Sequence, residues 1–199
     1  MVSCILLSAG LSERFGSPKA LAIYERNTTL IKRQQIMLVD SQVDEMIIVL
    51  GAYAAKIRPQ LLKHKKIKVV YNKDYNLGQT SSFKVGLQVL KKAVRGVMLL
   101  PVDFPCIKTK TINLLINYFI EKSPLILIPT FKGTKGHPPI FGAKLKDDFL
   151  KLPLSSGLNT IAHQYVEAVN YLPVEDQGIL KSFNTQEEYA QLIKEMSKK

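Results

Sequence analysis

The residues best suited to chemistry in this 199-residue chain lie close to its N-terminus, in Leu7-Ser8-Ala9-Gly10-Leu11-Ser12-Glu13-Arg14-Phe15-Gly16-Ser17-Pro18-Lys19. Gly10 and Gly16 let backbone amides approach an anion with no Cβ in the way, and successive N–H groups in a turn make a concave nest for negative charge. Arg14 offers a planar fork to phosphate oxygens, and Lys19 offers a point charge. Together they would neutralise a triphosphate and the charge that grows on a leaving pyrophosphate. Two familiar phosphate loops fail on spacing. A Walker loop needs Gly-x-x-x-x-Gly-Lys-Ser/Thr, whereas Gly16 is followed by Ser17-Pro18-Lys19; a dinucleotide fingerprint needs Gly-x-Gly-x-x-Gly, which Gly10-Leu11-Ser12 breaks. The bland alternative is an ordinary strand-to-helix loop with incidental basic residues.

A second group stands in Leu99-Leu100-Pro101-Val102-Asp103-Phe104-Pro105. An aspartate placed just after a buried strand emerges at the carboxyl edge of a sheet, the edge that also carries the glycine-containing loop. Mg²⁺ takes hard oxygen ligands, usually one or two carboxylates beside phosphate oxygens and water, and Asp103 is the first candidate for such a ligand. Its alternative is a carboxylate that ends the strand or caps the segment from Thr109. Asn72 to Ser82 reads as a polar turn opening a helix, with Gly78 as a point of close approach and Thr80, Ser81 or Ser82 as N-caps. His64 lies in a basic run and His163 in a helical segment; neither carries a role. Cys4 and Cys106 have no metal-type spacing and read as two buried thiols of a reducing cytoplasm.

The elements that must position these residues alternate. Val2–Leu7, Met46–Leu50, Ile67–Tyr71, Val97–Leu100 and Leu125–Ile128 are short apolar runs rich in β-formers. Between them lie helical patterns: Thr29 to Asp40; a stripe of Tyr53, Ala54, Ile57, Leu61 and Leu62; Phe83, Leu87 and Leu90; and Ile112, Leu115, Ile116 and Phe119. Uninterrupted apolar strands alternating with amphipathic helices predict an α/β fold, a Rossmann-like three-layer α/β/α sandwich with a mostly parallel sheet. Ligands of such sheets bind outside the carboxyl ends of the strands. After Pro129 the rhythm changes to a Gly/Pro-rich loop, a short Ile140-Phe141 strand, helices near Asp147 and Thr160, a strand over Val169 to Leu172, a helix over Gln186 to Glu195, and a Ser197-Lys198-Lys199 tail.

At the glycine-containing loop the chain resembles nucleotidyltransferases with the signature Leu-x-Ala-Gly-x-Ser-x-Arg-Met-Gly-x-x-Lys, and in particular the molybdenum cofactor cytidylyltransferases and their relatives. Phe15 replaces the Met of that signature. The resemblance implies a single domain over residues 1–199, with a nucleotide-binding half (1–129) and an acceptor-side half (130–199). It implies Mg²⁺-dependent transfer of a nucleoside monophosphate to a phosphate-bearing acceptor such as molybdopterin, with release of pyrophosphate. Arg14, Lys19 and Asp103 would then be catalytic, with Asp103 in the family's Asp-x-Pro turn as metal ligand. Ser8, Ala9, Gly10, Arg14, Gly16 and Lys19 would bind the nucleotide, and Gly78, Ser81 and Ser82 its base and ribose. Ser8-Ala9-Gly10 is closer to the Ala-Ala-Gly of cytidylyl enzymes than to the Ala-Gly-Gly of guanylyl ones, which favours CTP. Gly136-His137-Pro138 matches a loop that borders the acceptor, where His137 either touches an acceptor phosphate or orders the loop.

Two departures bear on the acceptor. Leu154-Ser155-Ser156-Gly157-Leu158-Asn159 stands where the family has Gly-Asp-x-Gly-Ala-Arg, and Ser182-Phe183-Asn184-Thr185-Gln186-Glu187-Glu188 where it has Asp-Ile-Asp-Thr-Pro-Glu-Asp. Asn184 keeps a carbonyl oxygen for Mg²⁺ without the charge. A sugar phosphate is the alternative acceptor.

Charge raises a reading of another class, a basic nucleic-acid binder, and a third reading keeps the fold and the bound nucleotide but assigns a nucleotide-sensing regulatory or chaperone role. Lys and Arg number 28 against 16 Asp and Glu, a net +12. The excess gathers at Lys56, Arg58, Lys63, Lys65, Lys66 and Lys68, without interleaved aromatics or a nucleic-acid-binding signature, and reads as a solvated helix face and turn. Near the proposed loop only Arg14, Lys19 and Lys135 are expected. The longest apolar stretch, Met46 to Ala55, is half the ~20 residues a membrane-spanning helix needs, so no membrane partner is expected.

Overall fold

In the computed structural model, which describes residues 1–25 and 27–196, the apolar run after Met1 becomes strand β1 (Val2–Ser8), buried along its whole length. In chain order there follow β2 (Ile23–Glu25), β3 (Thr28–Thr29), α1 (Leu30–Val39), β4 (Glu45–Leu50), α2 (Ala54–Ile57), β5 (Ile67–Tyr71), α3 (Gln79–Gln88), β6 (Gly96–Pro101) and α4 (Thr109–Lys122). The second half adds β7 (Ile126–Phe131), β8 (Thr134–Lys135), β9 (Ile140–Gly142), α5 (Lys146–Lys151), α6 (Asn159–Gln164), β10 (Val169–Pro173) and α7 (Gln186–Met196). The Ser197-Lys198-Lys199 tail lies outside the described residues.

The main sheet runs β10-β7-β9-β6-β1-β4-β5, with β8 paired to β7. β1 is parallel to both β4 and β6, β4 to β5, and β7 to β10; β9 runs antiparallel between β6 and β7. Alternation along each central strand builds the two faces. Cys4, Leu6, Met46 and Ile48 pack on one side with Ile31 and Leu38 of α1 and Ile112, Leu115 and Phe119 of α4. Ile5, Leu7, Ile47 and Val49 pack on the other with Phe83 and Leu87 of α3, Phe149 of α5 and Ile161 of α6. A strand apolar on both faces needs a helix layer over each, which is why these runs show no polar alternation.

Four expectations are corrected. The stripe from Tyr53 to Leu62 is not one helix: α2 stops after a turn, a 3₁₀ turn holds Arg58–Gln60, and Leu61 is extended. Pro59 removes a backbone donor and its ring resists continuation of the α-helix. Gly78, not a hydroxyl residue, precedes α3. The strand expected to end at Ile128 runs on to Phe131, because Pro129 falls between the stretch paired with β9, up to Leu127, and the stretch paired with β8, from Thr130. Cys106 is only partly buried, against Met196, while Cys4 is fully buried.

Two members of the basic run have partners within the fold. Lys66 Nζ donates to the Val39 and Ser41 carbonyls at 2.9 Å, and Lys68 Nζ to the Val89 carbonyl at 2.9 Å. Each ammonium thus sits on the negative end of a helix, α1 or α3. No helix among the described residues is long and apolar enough to cross a membrane.

Candidate active site

The chain leaves β1 for β4 and β5 on one side and returns to β6 on the other, so the strand order reverses at β1 and a crevice opens beyond its carboxyl end. A cavity of about 480 Å³ occupies that position, within the range of small-molecule sites. Its floor and one wall are the end of β1 (Leu7 and Ser8) and the loop after it as far as Arg14, with Pro18 and Lys19. Pro101 at the end of β6, with Val102 and Asp103 after it, forms a second wall, and Tyr75, Asn76, Gly78, Gln79 and Ser82 a third.

The loop is shaped by its own backbone. Ser12 takes a left-handed conformation (φ 54°), a 3₁₀ turn covers Glu13–Phe15, and Gly16 (φ 73°) closes it with its N–H on the Ser12 and Glu13 carbonyls at 3.1 Å. Positive φ costs glycine nothing, which accounts for Gly16. Ser12 Oγ accepts from the Lys19 N–H at 3.3 Å, and Tyr53 donates its hydroxyl to the Leu11 carbonyl at 3.0 Å. Gly51, at the end of β4, lets the loop lie close: a Cβ there would stand 2.4 Å from the Ala9 carbonyl oxygen and 2.6 Å from Tyr75 Cβ. The Val102 N–H bonds to the Leu7 carbonyl at 3.0 Å and extends the β1–β6 pairing until Asp103 reaches the rim.

The charged groups converge there. Lys19 Nζ donates to Asp103 Oδ2 at 2.8 Å, the Phe183 carbonyl at 2.6 Å and Asn184 Oδ1 at 3.3 Å. Arg14 Nη2 reaches the same Asn184 oxygen at 3.0 Å. Phe183, fully buried, packs on Phe15 (centroids 5.3 Å) and Tyr189 (4.5 Å), and Gln186 donates to the Phe15 carbonyl at 3.0 Å. The Phe15 that departs from the signature is thus one side of an aromatic cluster that ties the loop to α7. Thr185 Oγ1 caps the start of α7 by accepting from the Glu188 N–H, and the Glu188 carboxylate accepts from the Asn184 N–H, one residue before Thr185.

Arg14, Lys19, Asp103 and Asn184 therefore meet at one rim, with Ser8, Ala9, Gly10, Gly78 and Ser82 on the cavity wall. Ser8 Oγ is buried without a partner among the described residues, a polar atom left for something in the cavity. Gly16 shapes the loop without lining the cavity. Ser81 lies behind the wall, buried, its hydroxyl beside the Asp74 and Gly78 carbonyls (2.8 and 2.9 Å) and its oxygen taking the Asn72 amide at 2.8 Å. That geometry makes it a brace for the turn.

His137 stands apart from the lining. Its ring lies 4.3 Å from the Phe104 ring, its backbone N–H donates to the Ile179 carbonyl at 2.9 Å, and the ring Nδ1 is buried without a partner among the described residues. Burial pulls its pKa below the usual 6.5, against the opposing pull of Asp103 and the Leu99 carbonyl, so the imidazole is neutral at pH 7. Lys135 packs over the Tyr171 ring and does not reach the cavity.

Sequence reasoning missed Gly51, Tyr53, Tyr75, Asn76, Gln79 and the Phe183 carbonyl. A signal existed only for the Tyr75–Gln79 segment, in its position after an apolar strand.

The model of a family described as MobA-like NTP transferase domain matches residues 4–169. The molybdenum cofactor cytidylyltransferase of Escherichia coli is 25% identical over 69% of this chain and 68% of its own. A "probable molybdenum cofactor guanylyltransferase" of Bacillus cytotoxicus is 27% identical over 96% of each chain. The nicotine blue oxidoreductase of Paenarthrobacter nicotinovorans is 26% identical over 96% of each chain. Among solved structures, a nucleotidyl transferase from Methanothermobacter superposes with a TM-score of 0.83 over 100% of this chain and 98% of its own, at 18% identity, and shares the fold.

Proposed function

This chain belongs to the MobA-like NTP transferase domain family, and from that premise we propose that it transfers a nucleoside monophosphate, from CTP by preference, to a phosphate-bearing acceptor such as molybdopterin, releasing pyrophosphate. The observation that carries this reading is the meeting of Arg14, Lys19 and Asp103 at the rim of the cavity beyond β1. An acceptor phosphate oxygen attacks the α-phosphorus, the new O–P bond forms, and the bond to the β-phosphate oxygen breaks with its electron pair leaving on pyrophosphate. The reaction needs little proton transfer, so placement and charge carry it. Arg14 and Lys19 hold the phosphates and meet the charge that develops on the leaving group. Ser8 Oγ and the backbone of Ala9 and Gly10 orient the nucleotide along the floor, while Tyr75, Gly78 and Gln79 enclose its far side.

The residues present fit Mg²⁺: the Asp103 carboxylate and the Asn184 amide oxygen are hard donors, and one carboxylate with phosphate oxygens and water suffices. Bound there, the ion supplies charge neutralisation at the reacting phosphates.

CTP preference rests on Ser8-Ala9-Gly10; the cytidylyl and guanylyl relatives support the nucleotidyl chemistry without choosing a base. The test is a panel of the four nucleoside triphosphates with Mg²⁺, read by thermal shift and by pyrophosphate release with molybdopterin or sugar phosphates. CTP should give the largest shift and the fastest release. Faster release with GTP overturns the base preference, and no release with any pair overturns the transferase reading.

A further inference from the structure

Lys19 is held more completely than phosphate binding requires. An ammonium has three donors, and here three oxygens meet them: Asp103 Oδ2, the Phe183 carbonyl and Asn184 Oδ1, at 2.8, 2.6 and 3.3 Å. The Phe183 ring, 5.1 Å from Nζ, closes another side, and the side chain is only 13% exposed. Two of these oxygens are the donors a divalent ion would need. An ion about 2.1 Å from an Asp103 oxygen would stand within about 5 Å of the ammonium in a partly desolvated place, where like charges repel strongly. The protein offers little to offset that repulsion: among the described residues no cluster of three His, Cys, Asp or Glu gathers here, and Arg14 adds another positive charge on Asn184. A triphosphate changes the balance, since its oxygens attract Lys19 and Arg14 and also coordinate the ion.

We propose that Lys19 is the resident cation of this site, keeping a free divalent ion off Asp103 until nucleotide phosphates draw its ammonium away, so that metal enters as the metal–nucleotide complex. This rests on the reading of the cavity as a nucleotide site. It gives Lys19 a second role, before chemistry, in making metal and nucleotide binding mutually dependent.

The test counts bound Mn²⁺, by electron paramagnetic resonance of the free ion, on the full chain with and without non-reacting α,β-methylene CTP or GTP. Wild type should bind Mn²⁺ poorly alone and at least about tenfold more tightly with analogue. Lys19→Met should bind Mn²⁺ without nucleotide at least about tenfold more tightly than wild type, because Asp103 is then unneutralised, whereas Lys19→Arg should keep the ion out. If Lys19→Met does not fold, Lys19→Gln, which keeps a donor for the Phe183 carbonyl without the charge, is read in its place. Equal Mn²⁺ affinity of wild type with and without bound analogue overturns the proposal. So does a folded neutral variant that gains no Mn²⁺ affinity. If neither analogue binds, the nucleotide reading fails, and the nucleotide-free comparison of variants still decides the role of Lys19.

Discussion

Lys19 and Asp103 stand 84 residues apart in the chain and 2.8 Å apart in the fold. Asp103 follows β6 directly, and Lys19 closes the loop that follows the adjacent parallel strand β1, so the sheet order and the fold of that loop together make the contact. The pair links the loop that would hold phosphates to the carboxylate that would hold metal.

Removing either partner should damage turnover more than folding. Asp103→Asn and Lys19→Ala are each expected to lower kcat/KM by about a hundredfold, the range for losing one well-placed charge-stabilising group. The double variant should fall well short of the product of the two losses, as expected for residues that act as a unit. Pyrophosphate-release kinetics of the four proteins measures this; full activity in either single variant contradicts the mechanism.

Phe183→Ala should cost about 3–5 kcal/mol of stability, since it empties a fully buried position between Phe15 and Tyr189. Phe183→Leu should retain more than half of that. Denaturant unfolding of both variants checks the order, and the alanine variant should also lose nucleotide affinity, because the Phe15 loop is anchored there.

Two glycines should separate folding from binding. A Cβ at Gly10 meets nothing within 4 Å, so Gly10→Ala should melt with wild type and weaken nucleotide binding by filling cavity space. A Cβ at Gly51 collides with the Ala9 carbonyl, so Gly51→Ala should lose at least about 1–3 kcal/mol, the usual cost of overpacking. Thermal melts with and without nucleotide distinguish the two patterns.

Ser81→Ala should lower stability by about 1 kcal/mol, the worth of a typical hydrogen bond, and leave the ranking of nucleotides unchanged. A changed ranking would place its hydroxyl on the base after all.

His137 predicts acid sensitivity. Its folded pKa lies below the ordinary 6.5, so between the two values the unfolded chain binds more protons and stability rises with pH. The contribution is complete above pH 6.5 and is lost as pH falls through the folded value. Urea unfolding from pH 7.5 to 5 should show that slope, flattened in His137→Gln.

The order of strands and helices was readable because β1, β4 and β6 are buried at every residue and carry nearly unbroken apolar runs, a pattern that helices on both faces impose. The loop from Ser8 to Lys19 and the aspartate after β6 were readable for a related reason, since short polar segments after buried strands must surface at one edge. Other features were not legible from period and burial alone. Pro59 interrupts an apolar stripe whose period is helical, and the Ser81 hydroxyl, which the resemblance assigns to the base and ribose, bonds the Asp74 and Gly78 carbonyls. The strap from Phe183 to Tyr189 reaches the loop across 164 to 171 residues. The sequence alone determined the layers of this protein and which loops carry charge, because burial and period are written locally. Only the tertiary structure decided that Lys19 is held by Asp103, Phe183 and Asn184 together, because that grip depends on strand order and on where α7 docks.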